Sequence, residues 1–173
     1  MQLPYDRHHD CIHLLFKLGE QLNVLRVSTI LNFIFDTKVS ICLAGSLMNE
    51  NKAGASDCAL TMGPCGGRMS GMNPVMYKAG ETITVTFQKN LDHWVKDTPG
   101  NFKISLMMDG NSTPMASAMI NDMGEQSLHL YSTTLMVPMS AMEGKYMIQV
   151  VYNTMNPKAP PMFYQCADVM IMK

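Results

Sequence analysis

Long apolar runs are missing from this chain. No stretch reaches 18 uninterrupted apolar residues, so no transmembrane helix is expected. Charge is also scarce. Only 16% of the residues are charged, against about a quarter in an average domain. The formal net charge of −1 gives no electrostatic reason for a nucleic acid or an acidic membrane as partner. No Gly-x-Ser-x-Gly, phosphate loop or dinucleotide fingerprint is present, so triad hydrolysis and nucleotide chemistry have no support. Asp92, Asp97 and Asp168 form no acid pair in sequence. Tryptophan occurs once, at Trp94. There is no internal repeat, no low-complexity tract, and no good helix-period segment after residue 50.

What is abundant is methionine, 19 residues in 173, all but the initiator at or after Met48. That asymmetry divides the chain into two segments of different character. Thioethers ligate soft Cu(I), and Met69 with Met72, and Met136 with Met139 and Met142, come nearest to such an array. No tight array repeats, however, and the methionines are expected to act as core filler in place of Leu, Ile and Val.

Cysteines number five: Cys11, Cys42, Cys58, Cys65 and Cys166. An odd count leaves one unpaired or removed by processing. A bridge from Cys65 or Cys58 to Cys166 closes a loop of roughly 100 residues, which constrains the unfolded chain by about 4–5 kcal/mol. Such a bridge implies an oxidising compartment; the alternative is a set of reduced core thiols.

In the first segment, His9 and His13 stand at i, i+4 with Cys11 between them. That spacing puts two imidazoles on one helix face, but no later ligand pair completes a zinc site. Residues 27–46 combine an apolar stretch with a small-residue end, Ser40, Cys42 and Ala44, and resemble a secretion signal. Asp36, Lys38 and the 26 residues ahead of the stretch depart from a plain signal. An amphipathic helix packed on the domain is the alternative. We expect residues 1–43 to lie outside the domain and residues 44–173 to form it.

From about residue 72 the chain alternates with period two. Ile83, Val85 and Phe87 point one way and Thr82, Thr84 and Thr86 the other. Phe102, Ile104 and Leu106 repeat the pattern, as do Tyr146, Ile148, Val150 and Tyr152. Half-buried strands read this way. Turn signals separate them at Asn73-Pro74, Ala79-Gly80, Pro99-Gly100, Asp109-Gly110, Glu143-Gly144 and Asn156-Pro157. Short strands with turns at this frequency predict an all-β, antiparallel β-sandwich, Ig-like or fibronectin type III-like.

Several segments then carry a family resemblance. They are Asp57-Cys58 through Pro64-Cys65-Gly66-Gly67, Lys78-Ala79-Gly80-Glu81 leading into the strand to Phe87, Asn90-Leu91-Asp92-His93-Trp94, Pro99-Gly100-Asn101-Phe102, and Phe163-Tyr164-Gln165-Cys166-Ala167-Asp168-Val169. Together they resemble the secreted, copper-dependent lytic polysaccharide monooxygenases and their chitin-binding, non-catalytic relatives, over roughly residues 44–173. The resemblance implies that His93 takes the internal copper-histidine position and Phe163 the axial, non-ligating aromatic. It also implies an extracellular location and a chitin-like polysaccharide as partner. In that family the terminal amine and imidazole of an opening histidine complete the copper site. Here Ala44, in Ala44-Gly45-Ser46, stands at that position, and the copper brace is not expected to form. Losing only an outer-shell partner costs about 10–100-fold in metal affinity.

The residues considered singly have plain readings as well. His93 reads as a polar loop histidine beside Trp94. His129, between Leu128 and Leu130, reads as a surface histidine. Phe163 and Tyr164 are neighbours in a strand and face opposite sides. Trp94 and Tyr164 are the aromatic candidates for stacking on sugar rings. The functional expectation is an extracellular carbohydrate- or copper-binding module without catalysis. A copper-dependent monooxygenase acting on a chitin-like substrate and a matrix structural or adhesion protein are the alternatives.

Overall fold

The computed structural model describes residues 52–71 and 74–173. His9, Cys11, His13, the signal-like stretch 27–46, Cys42, Ala44 and Met72 lie outside the described residues. Apart from a short 3-10 turn at Ser56–Cys58, the described elements are strands: β1 Val75–Lys78, β2 Thr82–Lys89, β3 Asn101–Met108, β4 Pro114–Asn121, β5 His129–Met136, β6 Gly144–Asn153 and β7 Met162–Met172. They form a β-sandwich. One sheet has five strands in the order β1-β7-β6-β3-β4, and the other pairs β2 with β5.

Side-chain alternation decides which face each strand buries. In β2, Ile83, Val85 and Phe87 are buried, while the threonines between them are half-buried or exposed. These threonines suit the pleated surface because they are β-branched. Phe102, Ile104 and Leu106 of β3 and Tyr146, Ile148, Val150 and Tyr152 of β6 face the same core. Ala167, Val169 and Ile171 of β7 complete it. The expected sandwich is therefore present, and its inward residues are the predicted ones.

Two features depart from the expectation. β1 runs parallel to β7, Val75 facing Val169 and Lys78 facing Met172, so the large sheet is not wholly antiparallel. The second departure corrects the reading of the methionines. Met107 is the one fully buried methionine among the described residues. Every exposed large hydrophobic side chain there is a methionine, apart from Leu91 and Leu130. The core is filled by Ile, Leu, Val, Phe and Tyr instead. Branched and aromatic side chains hold defined rotamers in a β core, and apart from Met108, which packs against the core, the described thioethers stand on the outer faces and loops.

The segment from Lys52 to Gly71 lies against β7 and β6. Cys65 is bonded to Cys166 of β7 across 101 residues, and Cys58 is disulfide-bonded too. Of the two routes left open by the sequence, Cys65 is therefore the partner of Cys166. The Met147 sulfur lies 3.8 Å from Cys65 Sγ and 3.9 Å from Cys166 Sγ. Gln149 Nε2 donates to the Pro64 carbonyl at 2.8 Å. The Gly71 amide donates to Asp168 Oδ2, and the Tyr164 amide to the Leu60 carbonyl at 2.8 Å. That last bond covers β7 where β1 does not reach.

Gly100 opens β3 in close contact with β6. A Cβ on it would stand 2.3 Å from the Asn153 carbonyl oxygen, closer than any side chain tolerates. Gly110, in the β3–β4 turn, would meet nothing within 4 Å but has a φ of +75°. Gly100→Ala is therefore expected to lower stability by about 3 kcal/mol or more through forced backbone displacement. Gly110→Ala should cost only its backbone strain, about 1–2 kcal/mol. Urea melts of the two variants measure the difference.

Candidate functional site

The strand ends place the candidate residues. β2 leaves the small sheet at Lys89, and the loop Asn90–Thr98 carries His93 over the end of the sandwich. β7 enters the large sheet beneath it at Phe163. The two rings stack, with centroids 5.1 Å apart and planes 8° from parallel. Tyr152 of β6 sits behind both, 6.1 Å from His93 and 6.4 Å from Phe163. Tyr152 in turn stacks on Phe102 at 4.4 Å, so the site is continuous with the aromatic core.

Beneath the loop is a buried ion pair that the sequence reading did not single out. Lys89 Nζ donates to Asp122 Oδ1 at 2.8 Å and to Asp92 Oδ1 at 2.9 Å. The Lys89 and Asp122 side chains are wholly buried, while Asp92 is about one-third exposed. Tyr152 donates its hydroxyl to Asp122 Oδ2 at 2.5 Å, and the Gly124 amide donates to Asp122 Oδ1 at 3.1 Å. Asp92 Oδ1 also accepts the Trp94 amide at 3.0 Å, and the Asp92 amide donates to Ser127 Oγ at 2.9 Å. Asn156 Nδ2 holds the loop from the other side, donating to the His93 carbonyl at 2.9 Å. The signal was present in the sequence: Lys89 continues the inward series 83, 85, 87, and a lysine at an inward position requires a buried anion.

These surroundings set the protonation of the site. Burial pushes the His93 imidazole below its ordinary value of 6.5; Asp92 opposes this and Lys89 adds to it. Burial, the hydrogen bond to Asp122 and that carboxylate's charge push the Tyr152 phenol far above the usual range. The shift favours the neutral imidazole, whose ring stacks on Phe163 of β7.

A cavity of about 280 Å³ opens beside His93. This is close to the lower end of ligand-pocket volumes, roughly 300 Å³. Phe163, Tyr164, Tyr152 and Leu60 give it apolar walls, and Asn90, Gln165, Lys89 and Ser56 add polar groups. Asn90 also fastens its rim. Its Oδ1 accepts the Gly54 and Ala55 amides at 2.9 and 3.2 Å, and its Nδ2 donates to the Lys52 carbonyl at 3.0 Å.

The structure thus brings together His93, Phe163 and Tyr164. Phe163 packs against the core, and Tyr164, on the other face of β7, lies against Gly63. Both line the cavity. Trp94 is half-buried and does not line it. Its indole ring packs on Gly124, where a Cβ would stand 3.1 Å from Cδ2, and its Nε1–H is buried with no hydrogen-bond partner among the described residues. Cys65 and Cys166 join the 59–71 segment to β7. His129 is exposed on β5, as expected, with its ring edge against Tyr131. Asp168 binds Gly71 and stands apart from Asp92. Among the described residues no three of His, Cys, Asp and Glu converge to hold a metal ion. His93 supplies a single imidazole, so these residues by themselves do not fit a copper ion.

No family model matches the chain, and no curated protein matches it. Among solved structures it is similar to a cellulose-active polysaccharide monooxygenase from M. thermophila, with 13% identity, 63% of this chain and 58% of that one covered, and a TM-score of 0.46. It is similar to T. fusca AA10A, with 13% identity, coverages of 56% and 52%, and a TM-score of 0.34. It is also similar to Cel61B, a glycoside hydrolase family 61 member from Hypocrea jecorina, with 13% identity, coverages of 58% and 52%, and a TM-score of 0.32. The chain spans about half the length of these structures.

Two predictions follow from the network. Lys89→Met leaves Asp122 buried without its cation and should cost about 3–5 kcal/mol. The double variant Lys89→Met with Asp122→Leu should recover much of that loss, as chemical denaturation of the three proteins would report. The second concerns pH. The folded pKa of His93 lies below the unfolded value of 6.5, so the unfolded chain binds the extra proton between the two. The His93 contribution to stability is complete above about 6.5 and falls as pH drops toward the folded pKa. His93→Gln should flatten that part of the stability profile, and imidazole NMR titration should place the folded midpoint below 6.5.

Proposed function

We propose that this chain is an extracellular, non-catalytic β-sandwich module that binds a polysaccharide of the chitin class at the end carrying His93, Phe163 and Tyr164. One observation carries the reading. The cavity there joins aromatic walls to amide and hydroxyl-bearing groups, the combination that a sugar requires for its apolar ring faces and its hydroxyls. The disulfides agree with an oxidising, extracellular compartment. Trp94 serves this reading indirectly: its indole packs on Gly124 and is not itself the platform.

A second reading is favoured by the neutral, stacked imidazole of His93. Imidazole in that state suits copper, and a copper-dependent polysaccharide monooxygenase remains the catalytic alternative. It needs ligands from outside the described residues.

Pull-down on insoluble chitin and cellulose in the presence of a chelator tests the first reading. The chain should bind chitin without metal, and Tyr164→Ala should weaken binding by about 10-fold, the loss of one buried aromatic contact of about 1.5 kcal/mol. Trp94→Ala should lower stability as well as binding. Chitin bound only after copper loading, together with oxidised oligosaccharides on addition of a reductant, would favour the second reading. Binding to neither polysaccharide would point to a matrix adhesion role.

A further inference from the structure

The end of the sandwich opposite His93 has a different chemistry. β7 runs from Phe163 at the His93 end to Met172 at the other, nine residues or about 30 Å along a strand. On its outward face stand Cys166, Asp168, Met170 and Met172, alternating with the buried Ala167, Val169 and Ile171. The β1 register sets Met76 directly beside Met170, so both point outward, as their neighbours Tyr77 and Ile171 both point into the core. Directly paired side chains start about 5 Å apart, and Met172 follows Met170 on the same face about 7 Å along. Three flexible thioethers therefore share one corner of the sheet.

Other methionines border this corner. The Ala79 amide donates to the Met172 carbonyl at 3.2 Å, and the neighbouring Gly80 lies under the thioether of Met139. Met136 faces Thr82 at the start of β2. Met76, Met136 and Met139 are all at least 60% exposed. No core packing explains this concentration of thioethers at one end. The charges nearby are mixed: Lys78 lies opposite Met172 and Lys145 opposite Met170, with Glu81 and Glu143 in the adjoining turns. The two ammonium groups disfavour a hard divalent cation, which also needs oxygen ligands. A soft monovalent ion prefers thioether sulfur and carries less charge to be repelled.

We propose that Met76, Met170 and Met172 form a soft-metal site for one monovalent ion of the Cu(I) class, separate from the His93 end. The test uses the full chain with its methionine methyls ¹³C-labelled. Ag(I) is titrated as a redox-inert probe, and Cu(I) is then added in competition with a chromophoric chelator. The methyl signals of Met76, Met170 and Met172 should move first and saturate together at one equivalent. The variant carrying Met76→Leu, Met170→Leu and Met172→Leu keeps similar volume. It should lose about 100-fold or more in affinity, beyond the loss of an outer-shell partner. The β4 variant Met115→Leu with Met119→Leu should bind as the parent does. Parent-like affinity in the triple variant, simultaneous movement of all exposed methionine signals, or loss of binding in the β4 variant would each overturn the proposal. If the triple variant does not fold, the order of methyl shifts in the parent decides.

Discussion

The Lys89–Asp122 pair is the constraint on which the functional end of this molecule depends. A lysine and an aspartate wholly removed from water are tolerable only if each remaining proton and lone pair is satisfied. That requirement recruits Asp92, the Tyr152 hydroxyl and the Gly124 amide. Each recruit fixes something else. Asp92 turns the loop through the Trp94 amide, Tyr152 supports the His93 ring, and Gly124 seats the indole. The position of His93 is therefore a consequence of charge satisfaction several ångströms below it. Asn156 adds a clamp from the β6–β7 loop.

The cavity wall opposite His93 comes from a segment with little regular structure of its own. Residues 52–71 hold their place through Asn90, the Leu60–Tyr164 backbone bond, Gln149 and the Cys65 bridge. Asn90 directly follows the last β2 residue, Lys89. One short stretch of sequence thus anchors the core charge with its lysine and the cavity rim with its asparagine.

Strand alternation made the sandwich legible in the sequence wherever branched or aromatic residues occupied the inward positions, as at Ile83-x-Val85-x-Phe87 and Tyr146 through Tyr152. β4 escaped that reading because Pro114-Met115-Ala116-Ser117-Ala118 offers small inward residues and weak contrast. The parallel partner of β7 escaped it too, since four residues, Val75 to Lys78, carry no directional signal. Of the site, His93 and Phe163 were visible through family resemblance and Tyr164 as an aromatic candidate for stacking, whereas Asp122 meets Lys89 and Tyr152 only through long-range pairing. The methionines misled for a physical reason. An apolar side chain predicts burial on average, but its flexibility gives methionine no preference for a β core that branched residues already fill.

The bridge from Cys65 to Cys166 also has a mechanical consequence. It ties the covering segment to β7 and encloses β1 through β6 in a single covalent loop. A pulling force transmitted along the backbone passes through the sulfur bond and bypasses 101 residues. Fully drawn out, those residues would otherwise yield roughly 340 Å of slack. Under tension the oxidised domain is therefore nearly inextensible. Reduction of one bond would turn the same polypeptide into a long, compliant tether.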